Sequence, residues 1–135
     1  MSVKLKFVMF LLFIMSYLYS EQGEALFKPI HSYLKRYRQY IEEKDITVNN
    51  GVIYLELNGR RTNLNSLFLL GFHSVGRTVE IKLQKNGVPF REVQIIIHYE
   101  MKNPQHIAVT ASMESVVALS RGKINPDQFF NEVRY

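Results

Sequence analysis

The residues of this chain best suited to acid–base or metal chemistry are its four histidines, His31, His73, His98 and His106. None of them forms the H-x-x-x-H or H-E-x-x-H spacing that places two metal ligands on one face of a helix. His98 and His106 flank a predicted hairpin turn and could face each other across it, but the sequence offers no third ligand to complete a site. The sequence therefore predicts no metal centre.

A serine beside a histidine occurs in the stretch "GFHSVG", residues 71–76. The G-x-S-x-G motif of serine hydrolases needs a glycine two residues before the nucleophile, and Phe72 holds that place here. We expect instead a helix in which Gly71 and Gly76 allow close packing. The chain also has no glycine-rich phosphate loop and no evident carboxylate pair for acid–base catalysis. We expect a protein that is not an enzyme and has no cofactor.

Cysteine is absent from all 135 residues, which excludes disulfides, zinc–cysteine sites and thiol nucleophiles together. A domain without disulfides must be stabilised by its apolar core, which is feasible at this size. The hydrophobic content of 47% is ordinary for a globular chain.

The N-terminus has the pattern of a secretory signal peptide. Lys4 and Lys6 precede an uncharged apolar run, residues 7–19, and the polar stretch "SEQGEA" follows. A membrane-spanning helix needs about 20 apolar residues, so we favour a cleaved signal over an uncleaved anchor. Cleavage could follow Ser20 or Ala25. We therefore expect a signal peptide over residues 1–25 and a single exported domain, periplasmic or extracellular, over residues 26–135.

The chain carries a formal net charge of +5. In an exported protein a basic balance favours anionic lipid, polysaccharide or an acidic partner over nucleic acid. Lys35, Arg36 and Arg38 lie on the polar face of the first predicted helix, among tyrosines that can sit at a lipid headgroup layer. They are the candidates for an anionic-surface site, with a merely solvated helix face as the alternative.

Two elements are indicated in the first half of the domain. Residues 25–44 form a predicted helix because their apolar residues repeat at the spacing that lines one helical face. The members of this stripe are Leu26, Ile30, Tyr33, Leu34, Tyr37 and Ile41. The stretch "DITVNNGVIYLEL" predicts a hairpin with Asn50-Gly51 in its turn and Ile53, Leu55 and Leu57 on one side.

The segment of residues 63–87 allows two interpretations. As a helix, it places one apolar stripe on a single face and ends at Gly87. That stripe consists of Leu64, Phe68, Phe72, Val75, Val79 and Leu83. As a strand, residues 78–84 alternate strictly and Asn86-Gly87 is a hairpin signal. We favour the helix because the apolar stripe continues across the whole segment.

The stretch "FREVQIIIHYEM" is the strongest strand signal, with Val93, Ile95 and Ile97 alternating with polar residues. Ile96 makes its second face partly apolar, which predicts a central strand covered on both sides. The stretch "HIAVTAS" is its predicted partner after the turn "KNPQ".

The last residues predict two short helices with a break between them. Ser112 is the expected N-cap of the first, whose Val116, Val117 and Leu119 face inward. Gly122 is expected to end it in a left-handed conformation. Asn125 and Pro126 then begin the second helix, from which Phe129, Phe130 and Val133 pack back onto the domain.

These elements predict an α+β domain. It contains one mainly antiparallel sheet of about four strands. An N-terminal amphipathic helix, a long middle helix and two short C-terminal helices pack with this sheet.

Residues 104–130, "PQHIAVTASMESVVALSRGKINPDQFF", resemble the C-terminal part of sterol-carrier-protein-like domains. Ser112, Leu119, Gly122, Pro126 and Phe130 hold the matching places of a strand, a short helix, a stop and a proline-started helix. This resemblance implies an apolar pocket for lipid or acyl ligands and no catalytic residues. The order of helix, hairpin, helix and strand is also similar to that of BON domains of bacterial envelope proteins.

Two functions are expected from these patterns. The first is a binding module for an apolar or lipid-like ligand, with Phe68, Phe72 and Phe129 as pocket walls. The alternative is an interaction or assembly protein of the cell envelope that uses the basic helix face and a sheet edge. An enclosed apolar cavity would favour the first, and a solid core with an exposed patch would favour the second.

Overall fold

The computed structural model describes residues 25–86 and 90–135, and of residues 81–86 only the backbone. Residues 1–24 of the predicted signal peptide, the Leu83 side chain and the predicted helix stop at Gly87 lie outside the described residues. Helix α1 covers residues 25–35. The later elements are β1 (Ile46–Asn49), β2 (Val52–Gly59), α2 (Leu64–Asn86), β3 (Glu92–Glu100), β4 (Pro104–Ser112), α3 (Met113–Ser120) and α4 (Pro126–Glu132). The predicted α+β fold is therefore confirmed.

The four strands form one mixed sheet in the order β1-β2-β3-β4. β1 with β2 and β3 with β4 are antiparallel hairpins, whereas β2 and β3 run parallel, with Leu55 opposite Ile95. The turn between β1 and β2 contains Asn50 at φ 52° and Gly51 at φ 76°. These two positive angles are those of the tight turn that Asn-Gly predicts.

Helix α2 is the crossover that joins the parallel strands β2 and β3. It is helical through residues 78–84, so the strand interpretation of that segment is wrong. A side chain at Gly71 would meet Leu57 and Ile95 of the sheet at 3.2 Å, and one at Gly76 would lie 2.7 Å from Ser120 Cβ. The two glycines thus bring α2 close to the sheet and to α3, as the sequence predicts.

All described helices contribute to a single core on one face of the sheet. The strands supply Ile53, Leu55, Leu57, Val93, Ile95, Ile97, Val109 and Ala111 to it, all buried. The helices supply Leu26, Ile30, Leu34, Leu67, Phe68, Phe72, Val75, Val79, Val116, Leu119 and Phe129. β3 is central, but its second face does not belong to this core, because Ile96 is only half-buried. The expectation of a strand covered on both sides is corrected accordingly for the described residues.

The break between the C-terminal helices has the predicted geometry. The Ser115 N–H donates to Ser112 Oγ at 3.1 Å at the start of α3, and the Gln128 N–H donates to Asn125 Oδ1 at 2.8 Å at the start of α4. Between them, Gly122 has φ 73°. The N–H groups of Gly122 and Lys123 donate to the carbonyls of Leu119 and Ala118, which is the Schellman pattern of helix termination.

The junction of α2 with α3 also contains an ion pair. Arg121 Nε donates to Glu80 Oε1 at 2.6 Å, and the Ser120 hydroxyl donates to Glu80 Oε2 at 3.2 Å. The hydrogen bond from Arg121 is the main cause that lowers the pKa of the Glu80 carboxyl below its ordinary value. The ionised pair therefore stabilises the contact between the two helices.

Among the described helices, none is both long and apolar enough to cross a lipid bilayer.

We predict that Gly122→Ala lowers the free energy of unfolding by about 1 kcal/mol. Apart from its chain neighbours, no described residue comes within 4 Å of the place that the alanine methyl group would take, so the loss reflects only the left-handed backbone conformation. Urea denaturation of the wild type and of Gly122→Ala measures this difference in the free energy of unfolding. Gly122→Asn should lose less, because asparagine adopts this conformation more readily than alanine. An alanine variant as stable as the wild type would contradict the assignment.

We predict that Glu80→Gln lowers the free energy of unfolding by about 0.5–1 kcal/mol at pH 7, as for other partly exposed pairs. Because the folded pKa of Glu80 is lowered, its contribution is present above the ordinary value of 4.5 and is lost as pH falls through the lowered pKa. The two proteins should therefore converge in stability at pH values below the lowered pKa. Glu100→Gln, which changes an exposed carboxyl without an ion pair among the described residues, is the control. A difference in stability between wild type and Glu80→Gln that stays unchanged as pH falls through the acid range would disprove the electrostatic cause.

Candidate functional site

The three aromatic residues predicted to line a ligand pocket lie inside the core. Phe68, Phe72 and Phe129 are all buried. The rings of Phe72 and Phe129 pack edge to face, with centroids 4.9 Å apart. The Phe72 and Phe129 side chains thus fill space between α2 and α4. None of the three phenylalanines lines a surface cleft of about 520 Å³ or one of about 300 Å³ among the described residues.

The basic residues predicted to form an anionic-surface site are exposed at the end of α1. Lys35 is the last helical residue, and Arg36 and Arg38 lie in the turn that follows. The sequence places Tyr37 on the apolar stripe, but this residue is 56% exposed, so that prediction is wrong. The helix ends at residue 35 rather than near residue 44, and the 3.6-residue spacing therefore no longer holds at Tyr37. Ile41 is buried nevertheless, although it lies in the non-helical chain beyond the helix.

Helix α1 ends at a residue with a positive φ angle that is not glycine. Arg38 has φ 61°, and the Gln39 N–H donates to the Leu34 carbonyl at 3.0 Å. This is the same termination pattern as at Gly122, but here a residue with a Cβ adopts the left-handed conformation. Such a position is unfavourable by about 1–2 kcal/mol for an L-residue.

The serine and histidine of "GFHSVG" lie within α2. Ser74 is buried, and its hydroxyl donates to the Gly71 carbonyl of the same helix at 2.7 Å. The neighbouring His73 is half-buried, and its pKa is lowered by desolvation first and by the nearby Arg77 second. A buried hydroxyl already committed to its own helix is not placed to attack a substrate.

The two histidines predicted to face each other do so on the sheet face opposite the core. His98 of β3 is directly opposite His106 of β4, and their ring centroids are 6.1 Å apart. His98 Nε2 also lies 2.9 Å from Glu56 Oε1 of β2. No group of three histidine or acidic side chains suited to a metal ion occurs in residues 25–86 and 90–135.

A cleft of about 520 Å³ opens where the parallel strands β2 and β3 end. Its lining consists of Asn58, Gly59, Arg60, Arg61, His98, Tyr99, Glu100, Pro104 and Gln105. The cleft exists because the chain leaving β2 turns through Arg61–Asn63 into α2, whereas the chain leaving β3 turns back into β4. In open sheets, ligands bind at the carboxyl ends of parallel strands, and this cleft has that position.

The charged groups of this cleft are available to a ligand. Arg60, Arg61 and Glu100 are exposed, and none of their side chains forms an ion pair with another described residue. The Arg60 backbone is fixed, because its N–H donates to Asn63 Oδ1 at 2.8 Å. The two guanidinium groups outnumber the one carboxylate, so these three side chains give the lining a positive balance.

A second cleft of about 300 Å³ adjoins the first along β2. Lys44, Asp45 and Glu56 line it, and it shares Asn58 and His98 with the larger cleft. The pair of His98 with Glu56 therefore borders both spaces. We call the larger cleft, at the carboxyl ends of both parallel strands, the β2–β3 cleft.

No local sequence pattern points to Arg60 and Arg61 as site residues. They directly follow a strong strand signal in "LELNGRR", which could have marked them as residues at a strand end. Their proximity to His98 depends on the parallel pairing of β2 with β3, which periodicity alone does not indicate.

No family model, curated protein or solved structure matches this chain. The resemblances to sterol-carrier-protein-like and BON domains, together with the lipid ligand that the first one implies, stay predictions from the residues alone.

We predict that Arg38→Gly raises the free energy of unfolding by about 0.5–1 kcal/mol. Glycine relieves the left-handed strain, and its greater freedom in the unfolded chain offsets part of the gain. Urea denaturation measures the difference. Arg36→Gly, two residues earlier and without a positive φ angle, is the matched control and should not stabilise the protein. A loss of stability in Arg38→Gly would show that the Arg38 side chain makes a stabilising contact.

Proposed function

We propose that this chain is a binding module that holds a small, hydroxyl-rich anionic ligand, such as an acidic sugar, in the β2–β3 cleft. The observation that carries the proposal is the pair of exposed guanidinium groups, Arg60 and Arg61, at the carboxyl ends of two parallel strands. Guanidinium groups bind carboxylate, sulfate and phosphate through paired hydrogen bonds.

The remaining lining residues favour a ligand with hydroxyl groups over a simple anion. Asn58 and Gln105 each offer an amide donor and an amide acceptor, and Glu100 offers a carboxylate that accepts from hydroxyls. Glu100 would repel a bare anion, whereas it would bind the hydroxyls of a sugar whose acidic group lies at the arginines. Tyr99, half-buried at the same place, supplies an aromatic ring for the ligand to pack against.

The size of the cleft and its charged side chains also favour such a ligand over an apolar one. A volume of about 520 Å³ lies within the range of small-molecule sites. The phenylalanines predicted to wall an apolar pocket are buried in the core, whereas the cleft exposes polar and apolar surface in about equal parts and contains three charged side chains, Arg60, Arg61 and Glu100. This supports a polar ligand in place of the lipid-like one expected from the sequence.

We predict that Arg60→Ala/Arg61→Ala weakens binding of a uronic-acid trisaccharide by about 10- to 100-fold, the range for lost charge-assisted hydrogen bonds. Isothermal titration calorimetry measures the affinity. Lys28→Ala/Lys123→Ala removes the same charge from exposed positions outside the cleft and should bind like the wild type.

A neutral trisaccharide of equal size and inorganic phosphate complete this experiment. If the neutral trisaccharide and inorganic phosphate both bind more weakly than the uronic-acid trisaccharide, the cleft recognises hydroxyls and an acidic group together. Binding of the acidic trisaccharide that is equally strong in wild type and in Arg60→Ala/Arg61→Ala would disprove the proposal, as would no measurable binding to the wild type.

A further inference from the structure

A second surface, independent of the β2–β3 cleft, lies at the end of α1 and consists of residues 35–40. It contains Lys35, Arg36 and Arg38, all exposed, together with Tyr37 and Tyr40, which are 56% and 67% exposed. We call it the α1 turn. Neither cleft includes any of its residues.

The charge of this region is of one sign. Residues 25–41 contain four basic residues and no acidic one. No ion pair to Lys35, Arg36 or Arg38 occurs among the described residues, so their charges are free to attract an anionic partner. The nearest acidic residues in sequence are Glu42 and Glu43, and Glu42 pairs with Lys44 at 3.4 Å.

The tyrosines indicate which anionic partner suits the α1 turn. A tyrosine has an apolar ring and a polar hydroxyl, and this residue type is enriched where a bilayer meets water. Basic residues beside a bilayer with anionic lipids each add about fivefold to membrane binding. Because the turn lies outside both clefts and its basic and tyrosine side chains are exposed, it suits an extended surface better than a small ligand.

We propose that the α1 turn binds the surface of a bilayer that contains anionic lipids. Lys35, Arg36 and Arg38 contact the lipid phosphates, and Tyr37 and Tyr40 lie at the level of the headgroups. The Schellman termination at Arg38 holds the turn in place, with Leu34 and Ile41 buried on either side of it. The expectation that the chain is exported or anchored agrees with such a location.

A tryptophan reporter tests this proposal in the full chain. The sequence contains no tryptophan, so Tyr40→Trp provides a single fluorophore within the turn. We expect its emission to shift to the blue with vesicles of phosphatidylcholine containing about one third phosphatidylglycerol, and not with phosphatidylcholine alone. Tyr135→Trp, at another exposed tyrosine, is the matched reporter and should not shift in either case.

Charge variants test the role of the basic residues. In the Tyr40→Trp background, Lys35→Gln/Arg36→Gln should weaken partitioning into anionic vesicles by about 30-fold, at about fivefold for each charge. Lys102→Gln/Lys123→Gln removes the same charge from exposed positions elsewhere and should change it little. Salt at about 0.5 M should weaken the binding of the parent protein, because it screens exposed charges.

Three results would overturn the proposal. The first is a Tyr40→Trp shift that is equal in both kinds of vesicle or absent from both. The second is an equal shift in Tyr135→Trp, which would show that contact with lipid is not specific to the turn. The third is an equal shift with soluble polyglutamate, which would assign the turn to acidic polymers instead of lipids.

Discussion

The architecture depends on the parallel pairing of β2 with β3. Parallel neighbours cannot be joined by a tight turn, so the chain needs a crossover, and α2 provides it. This helix must pack closely on both strands that it joins and also on α3. The absence of a side chain at Gly71 permits the close contact with the two strands. The absence of a side chain at Gly76 permits the close contact with α3. The antiparallel hairpin partners β1 and β4 then extend the sheet on either side of this central unit.

The same pairing creates the β2–β3 cleft. Two parallel strands end at the same edge, and here their chains depart in different directions, one into α2 and one into β4. The charged residues at that edge are exposed, so packing in the core does not dictate their chemical type. Arg60, Arg61 and Glu100 have no ion-pair partner among the described residues, which is why their identity is more informative about a ligand than that of the buried phenylalanines.

Local sequence patterns correctly predict the features of the fold that depend only on residues close together in the chain. The turn at Asn50-Gly51, the cap at Ser112 and the stop at Gly122 each depend on residues within one turn of the chain, and all three are confirmed. The end of α1 is not predictable in this way. Its apolar spacing continues to Ile41, which is buried, yet the helix stops at residue 35 because Arg38 adopts a left-handed conformation that its residue type does not signal.

The candidate site depends on information that no local pattern contains. The facing of His98 and His106 follows from one hairpin and is predictable, whereas the approach of Glu56 to His98 requires the register between two strands separated by a whole helix. Aromatic residues lead to a false prediction of a site, because a phenylalanine in a pocket wall and one in a solid core have the same spacing on a helix. Only the packing distinguishes them, and the contact between the Phe72 and Phe129 rings places both in the core. Polar residues that follow a buried strand and have no structural partner are therefore the better starting point for locating a site in a chain of this kind.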